Sequence, residues 1–291
     1  MKFGLQVSSF TWPGGDAEIG KTLAAVTRRA DEVGFDSIWV MDHFFQIPSV
    51  GQVEEPMLEG WTALGFMAAN STRARLGLMV GGALYRQPGL WMKAATTLDV
   101  LSGGRAWFGI GAGWNEEESR ALGFPFPPLR ERFELLEDTL RMAHDMWSGE
   151  HGSEDRFEGT HVTAERLLNS PQALTRPHIP ILIGGMGERK TLRLVAQYGD
   201  ACNIFGWDPD LVRHKFAVLR EHCDALGRPY DEIERTVLYG VDLSTQSTSQ
   251  LVDTFGRLGE AGAQHIIFGV TNVDRVDQLD TLATEVFPQL R

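Results

Sequence analysis

The chain has 291 residues, 43% hydrophobic and 23% charged, with a formal net charge of −12; a chain of this size builds its core without disulfide staples, and the acidic balance argues against nucleic acid or an anionic membrane surface as a partner. Cys202 and Cys223 are the only cysteines, and their spacing fits neither a zinc motif nor a redox pair. No apolar run reaches the ~18–20 residues of a membrane span, and the opening MKFGLQVSSFTWPGG is too short and broken for a signal sequence, so a cytoplasmic location is expected.

Short apolar runs, each read as a buried strand, alternate with amphipathic stretches along the whole chain. Phe3–Val7 is followed by a helix over Lys21–Val33, Ser37–Met41 by Gly60–Asn70, and Leu76–Val80 by Leu90–Leu101. Ala106–Ile110 precedes the clearest helix, Glu131–Trp147, where Phe133, Leu136, Leu140, Ala143 and Trp147 recur at helical spacing. Ile181–Ile183 pairs with Glu188–Tyr198, Ala201–Phe205 with Pro209–Leu226, Val237–Leu243 with Ser249–Ala261, and His265–Val270 with Val273–Phe287. Eight strand–helix units predict an α/β fold, a (β/α)8 TIM barrel in one domain over residues 1–291. An open doubly wound sheet is the alternative; the absence of an unpaired strand favours closure. One segment breaks the rhythm. Residues 148–175, between the fourth helix and the fifth strand, are rich in Gly, Ser, His and charge, with a possible hairpin arm at Phe157–Val162. Such an insertion is expected to act as a lid or binding loop.

Barrel chemistry belongs to the C-terminal ends of strands. Those ends carry Ser8 and Ser9, then Asp42-His43-Phe44-Phe45, Gly81-Gly82, Gly111–Asn115, Gly184–Gly187, Trp207 and Asp242. They are rich in glycine and aromatics and lack clustered ligands, so no protein metal site is expected. The pair Asp42-His43 is left as a catalytic pair, a cofactor contact or a capped strand end. The fifth strand runs into Gly184-Gly185-Met186-Gly187 and at once into a helix, which offers backbone N–H groups to an anion, with Arg189 and Lys190 adding positive charge. The same glycines also suit a tight turn needing positive φ. Gly111-Ala-Gly-Trp-Asn115 suggests a second rim cleared of side chains, and Glu116, Glu117 and Glu118 are read as first-turn acids favoured by the helix dipole. Phe10, Trp12, Phe44, Phe45, Trp61, Trp114, Phe205 and Trp207 divide between core and an apolar pocket.

Together SIWVMDHFF, RLGLMVGGALYRQPGLWMKAATTLDVLSGGRAWFGIGAGWNEEE and IPILIGGMGERKTLRLVAQYGDACNIF resemble the bacterial luciferase-like flavin barrel family, and within it the branch using the deazaflavin coenzyme F420. The resemblance implies a ring in the barrel mouth and a phosphate tail near Gly184, Gly185, Met186 and Gly187. It implies a bulge after the third strand, with a non-proline cis peptide at Met79–Val80 followed by Gly81. His43 falls at the ring-adjacent, catalytic position, with Asp42 setting its tautomer or binding the ring edge, and Asn115 at the polar position after the fourth strand. The implied function is an oxidoreductase moving a hydride between F420 and an apolar or aromatic small molecule. The alternative is an FMN-dependent monooxygenase fed by a separate flavin reductase. A homodimer is also implied. The sugar-phosphate dehydrogenases of this branch use a glutamate in a G-x-G-E segment and a lysine after the sixth strand. This chain has Ala112 in that segment and Phe205-Gly-Trp-Asp-Pro209 after its sixth strand, so glucose 6-phosphate is not the expected substrate.

Overall fold

The computed structural model describes all 291 residues. Eight parallel strands form its centre: β1 (Lys2–Val7), β2 (Ser37–Val40), β3 (Arg75–Leu78), β4 (Ala106–Gly111), β5 (Ile181–Gly184), β6 (Ala201–Phe205), β7 (Glu234–Val241) and β8 (His265–Val270). Each pairs with its sequence neighbour, β1 pairs with β8, and β4 with β5, so the sheet closes on itself without an edge. The expected TIM barrel is therefore present. Helices α1 (Ile19–Val33), α2 (Gly60–Ala68), α3 (Pro88–Ser102), α4 (Glu116–Ala121), α5 (Leu129–Met146), α6 (Thr191–Tyr198), α7 (Pro209–Leu226), α8 (Thr248–Glu260) and α9 (Asp277–Thr281) follow along the chain. None is long and apolar enough to cross a membrane.

Alternation along β1 shows how the layers are built. Phe3, Leu5 and Val7 join the large outer cluster with the helices, while Gly4 and Gln6 take the other face. The barrel interior is filled by Trp39, Met79, Trp107, Leu182, Ala201 and Ile267. Two large indoles fit because a glycine stands beside both: a Cβ on Gly77 would lie 2.6 Å from the Trp39 ring and 2.9 Å from Trp107 Cβ, while one on Gly109 would run into the Leu78 carbonyl oxygen. Backbone cannot yield as a flexible side chain can. Gly109→Ala is expected to destabilise the protein by about 3 kcal/mol, read as a lowered denaturant midpoint, through forced separation of β3 and β4.

At the N-terminal end of the barrel a polar chain crosses four strands. Trp39 Nε1 donates to Ser37 Oγ at 2.6 Å, Ser37 Oγ meets His265 Nε2 at 3.0 Å, His265 Nδ1 meets Glu234 at 3.0 Å, and Lys2 Nζ donates to Glu234 at 2.9 Å. These partners explain why β7 starts at Glu234 rather than at the expected Val237. Glu234 and Arg235 carry charge yet are held inside by polar contacts, which an apolar pattern does not reveal. Burial works against the Glu234 carboxylate, but His265 and Lys2 outweigh it and hold the group down to about 2, against an ordinary value of 4.5. A depressed carboxyl stabilises the fold above its unfolded value and loses that contribution as pH falls. Unfolding titrations are expected to show about 3 kcal/mol lost between pH 4.5 and 2, less what solvent screening removes, and Glu234→Gln should flatten that limb.

Two expectations need correction. Residues 148–175 do form short antiparallel pairs, Gly152–Ser153 with Leu167–Leu168 and Phe157–Glu158 with Thr163–Ala164, but they make no lid. Thr160 N and His161 N donate to Asp138 on α5, Leu174 N and Thr175 N donate to Asp99 on α3, and Lys93 Nζ donates to Ser170 O. A helix returns the chain to the bottom of the barrel, so a loop from α5 to β5 clothes the outer wall instead of the mouth. The last helix also begins late, at Asp277, because residues 271–274 form turns with Asn272 at φ 56°. It continues through a π-helical turn to Phe287, whose ring stacks on Phe3 at 4.1 Å.

Candidate active site

β2 delivers Asp42 and His43 to the mouth, and the loop beyond it is anchored by one buried side chain. Glu118, on the first turn of α4, is fully buried and accepts four hydrogen bonds: from Phe44 N at 2.6 Å, Phe45 N at 2.8 Å, Tyr85 Oη at 2.5 Å and His43 Nδ1 at 3.1 Å. Burial would raise its pKa, yet the His43, Tyr85 and Phe45 hydrogen bonds prevail and hold it below the usual carboxylate range. Burial, reinforced by Glu118, pushes the Tyr85 phenol up, so it stays a neutral donor. An ionised carboxylate only accepts, which assigns the proton to His43 Nδ1. His43 Nε2 makes no hydrogen bond within the protein and is not sealed from solvent, and Trp114 lies edge-on to the ring at 5.3 Å.

Asp42 faces the other way. Its two oxygens accept from Arg86 Nη1 and Nη2 at 2.8 Å each, and Gly82 N donates to Oδ2 at 3.3 Å. Arg86 also donates to Glu59 at 2.5 Å and lies over the Trp91 ring at 4.5 Å. Burial pushes the Asp42 carboxyl up to about 6 against the pull of Arg86. The structure therefore does not bring Asp42 to the His43 imidazole: Glu118 holds that ring, and Asp42 ties the end of β2 to the segment after β3. Asn115 likewise serves as the α4 N-cap, its Oδ1 accepting from Glu118 N at 3.3 Å.

Between them the Met79–Val80 peptide is cis, and Gln6 Nε2 donates to Met79 O at 3.2 Å. The Met79 side chain fills the barrel interior, whereas Val80 stands between two glycine-cleared rims. A Cβ on Gly184 would lie 2.8 Å from Val80, and one on Gly111 3.1 Å from it. Gly81 pairs with Ile110 and prolongs β3 past the bulge. The β5 turn follows on the same side. Gly185 has φ 131° and donates to Asn203 O at 3.0 Å, and Gly187 packs against Thr191, the first residue of α6. Met186 is partly buried against the core. Arg189 and Lys190 at this turn are exposed; neither has a carboxylate partner, and Lys190 lies over the Phe133 ring at 5.0 Å.

The other half of the mouth is a cavity of about 830 Å³ above β1, β6, β7 and β8, reached from the bulge through Gln6. Trp12, Phe205, Trp207, Leu238 and Tyr239 line it; Phe205 and Trp207 stack at 4.5 Å with their planes 18° apart. Trp61, by contrast, packs on Trp91 behind Arg86, and Phe10 is buried beside Trp12. Asp42, His43, Met79, Val80, Asn115 and Gly184–Gly187 all lie outside this cavity, on the β2–β5 side.

A barrel with this bulge, histidine and glycine turn has known relatives. A family model described as luciferase-like monooxygenase matches residues 1–253. This chain belongs to the luciferase-like monooxygenase family. An uncharacterised protein of Mycobacterium tuberculosis is 29% identical over 265 residues, which cover 86% of this chain and 88% of that one. The F420-dependent glucose-6-phosphate dehydrogenase of Kineococcus radiotolerans is 34% identical over 223 residues, covering 74% of this chain and 62% of the dehydrogenase. The solved F420-dependent tetrahydromethanopterin reductase of Methanopyrus kandleri shares the fold, with a TM-score of 0.81 at 16% identity over 100% of this chain and 99% of that one.

The side chains that sequence reasoning passed over are Glu118, Tyr85, Arg86 and Gln6. Glu118 sits among three consecutive glutamates, and local spacing gives all three the same dipole explanation. Only the meeting of Tyr85, the 43–45 loop and α4 separates it from Glu116 and Glu117, which are exposed.

Proposed function

We propose that this oxidoreductase uses coenzyme F420 to move a hydride to or from an organic substrate of apolar or aromatic character. The observation that carries this reading is Val80 at the barrel mouth, standing between Gly111 and Gly184 beside the outward nitrogen of His43. A planar ring needs such a cleared, rigid ledge, and the residues fit one. The names of the Kineococcus and Methanopyrus relatives support the deazaflavin over FMN. When bound, F420 supplies the hydride donor or acceptor, chemistry the protein side chains lack.

The chain's own residues then divide the work. Val80 and the Met79–Val80 peptide offer the ring a face. The turn Gly184-Gly185-Met186-Gly187 takes the phosphate tail through the N–H groups of Met186 and Gly187, that of Gly185 being held by Asn203 O, with Arg189 and Lys190 adding exposed cations. Glu118 fixes the His43 imidazole with its proton on Nδ1, leaving Nε2 to accept or return a proton at the mouth. Asp42, Arg86 and Asn115 hold these groups in place and do not touch substrate. Trp12, Phe205 and Leu238 give the substrate side an apolar wall.

A cytoplasmic enzyme, with Cys202 and Cys223 free and buried, belongs to the same reading. So does a homodimer, for which the exposed Phe66 of α2 and Leu90 and Leu101 of α3 offer an apolar face between neighbouring helices. Sedimentation of the purified protein at micromolar concentration decides that point. The functional test is turnover of a panel of activated alkenes, imines and nitroaromatics under reduced F420, with reduced FMN and oxygen as the parallel arm. Turnover with F420, reduced at least tenfold by His43→Ala, is expected. Activity confined to the FMN and oxygen arm overturns the proposal in favour of a monooxygenase.

A further inference from the structure

The two halves of the mouth differ in charge, and that difference constrains the substrate. The β5 turn carries two exposed cations without carboxylate partners, Arg189 and Lys190. Among the 21 residues lining the 830 Å³ cavity there is no lysine, arginine or histidine, and Asp242 is the one charged group. Asp242 is fixed where it stands. Its Oδ1 accepts from Ser244 N at 2.9 Å and Ser244 Oγ at 2.6 Å, its backbone N donates to Gln246 Oε1 at 2.8 Å, and its backbone O accepts from Gln246 N at 2.8 Å. Oδ2 has no partner in the protein. Arg275, which borders the neighbouring groove behind Asp242, faces Asp277 at 3.5 Å.

Across the same cavity stands an aromatic platform. Phe205 and Trp207 stack on each other, and Trp207 is 63% exposed. An exposed indole stacked on a phenyl ring presents a flat face with a negative quadrupole, which attracts planar rings and, more strongly, planar cations. No group in the cavity compensates the charge of an anion, whereas a cation finds Asp242 and the Trp207 face.

We propose that the cavity above β7 and β8 is the substrate subsite and that it selects planar, uncharged or cationic ring compounds, nitrogen heterocycles and iminium ions among them, while rejecting phosphorylated and carboxylated ones. The inference rests on the oxidoreductase reading for the word substrate, but the charge selectivity is a property of the cavity alone. It also separates this protein's specificity from that named for its Kineococcus relative, whose substrate is a sugar phosphate. The same absence of cations explains why the anionic tail of the cofactor belongs at the β5 turn and not here.

Three probes of one size and different charge test the inference by calorimetric titration: N-methylquinolinium, naphthylmethanol and naphthalenesulfonate. Each is titrated into the protein with and without saturating F420. The cation is expected to bind about tenfold more tightly than the sulfonate, with the alcohol between them. Asp242→Asn should weaken the cation about fivefold and leave the alcohol unchanged, and Trp207→Ala should weaken both. Equal or tighter binding of the sulfonate, an unchanged cation affinity in Asp242→Asn, or no binding of any probe overturns the inference. If F420 itself fails to bind while the probes keep their order, the cofactor reading falls and the charge selectivity stands.

Discussion

Glu118→Gln is expected to lower kcat by about two orders of magnitude while leaving the affinity for F420 within about twofold. The buried carboxylate serves four donors with two oxygens: Phe44 N, Phe45 N, Tyr85 Oη and His43 Nδ1. An amide retains one oxygen and turns an NH2 group toward donors. Either the 43–45 loop loses its anchor or His43 loses the acceptor that keeps its proton on Nδ1. Leaving one buried donor unsatisfied costs about 1–3 kcal/mol, so the midpoint of unfolding should fall as well. Stability loss alone does not distinguish positioning from bulk structure. Tyr85→Phe supplies the comparison, because it removes one donor yet leaves the carboxylate and its bond to His43. Turnover within about fivefold of the parent is expected for that variant, since the orienting hydrogen bond survives. Equal kcat losses in the two variants would refute a specific link from Glu118 to His43.

Arg86→Ala carries the largest expected effect on stability, about 3–5 kcal/mol. Removing this guanidinium strands Asp42, whose side chain is 1% exposed, and takes a second partner from Glu59. It also opens a gap over Trp91. The cost comes mainly from the uncompensated charge, which gives the prediction a second half. Adding Asp42→Asn to Arg86→Met, a change that keeps apolar bulk over Trp91, should recover about half of the loss, because a neutral amide costs less to bury than a carboxylate. Urea unfolding of the two singles and the double measures the coupling. A loss under 1 kcal/mol for Arg86→Ala would show that solvent reaches the pair and replaces the guanidinium.

Barrel strands were legible because burial on both faces writes itself as uninterrupted apolar runs. β6 and β8 match their expected limits, Ala201–Phe205 and His265–Val270. The Met79–Val80 cis peptide, expected from resemblance, is present, and the glycines around it show why small residues stand there. What escaped was long-range and polar. Glu234 extends β7 because partners from β8 and the N-terminus accept it. Asp42 and His43 are adjacent in sequence but point to different partners, as successive residues beyond a strand do, so the carboxylate that orients His43 comes from a helix 75 positions away. The insertion misled for a topological reason: composition marks a loop as irregular, while the end of the barrel it serves follows from whether it succeeds a strand or a helix.

Parallel titration of oxidised F420 and FMN into the same protein, followed by tryptophan quenching, decides which cofactor the barrel mouth holds. Trp114, Trp207 and Trp12 lie around the mouth and report occupancy. F420 is expected to bind at least tenfold more tightly than FMN, and joint replacement of Arg189 and Lys190 with glutamate to weaken it about tenfold. Tighter binding of FMN, or F420 affinity indifferent to those two charges, would contradict the F420 reading.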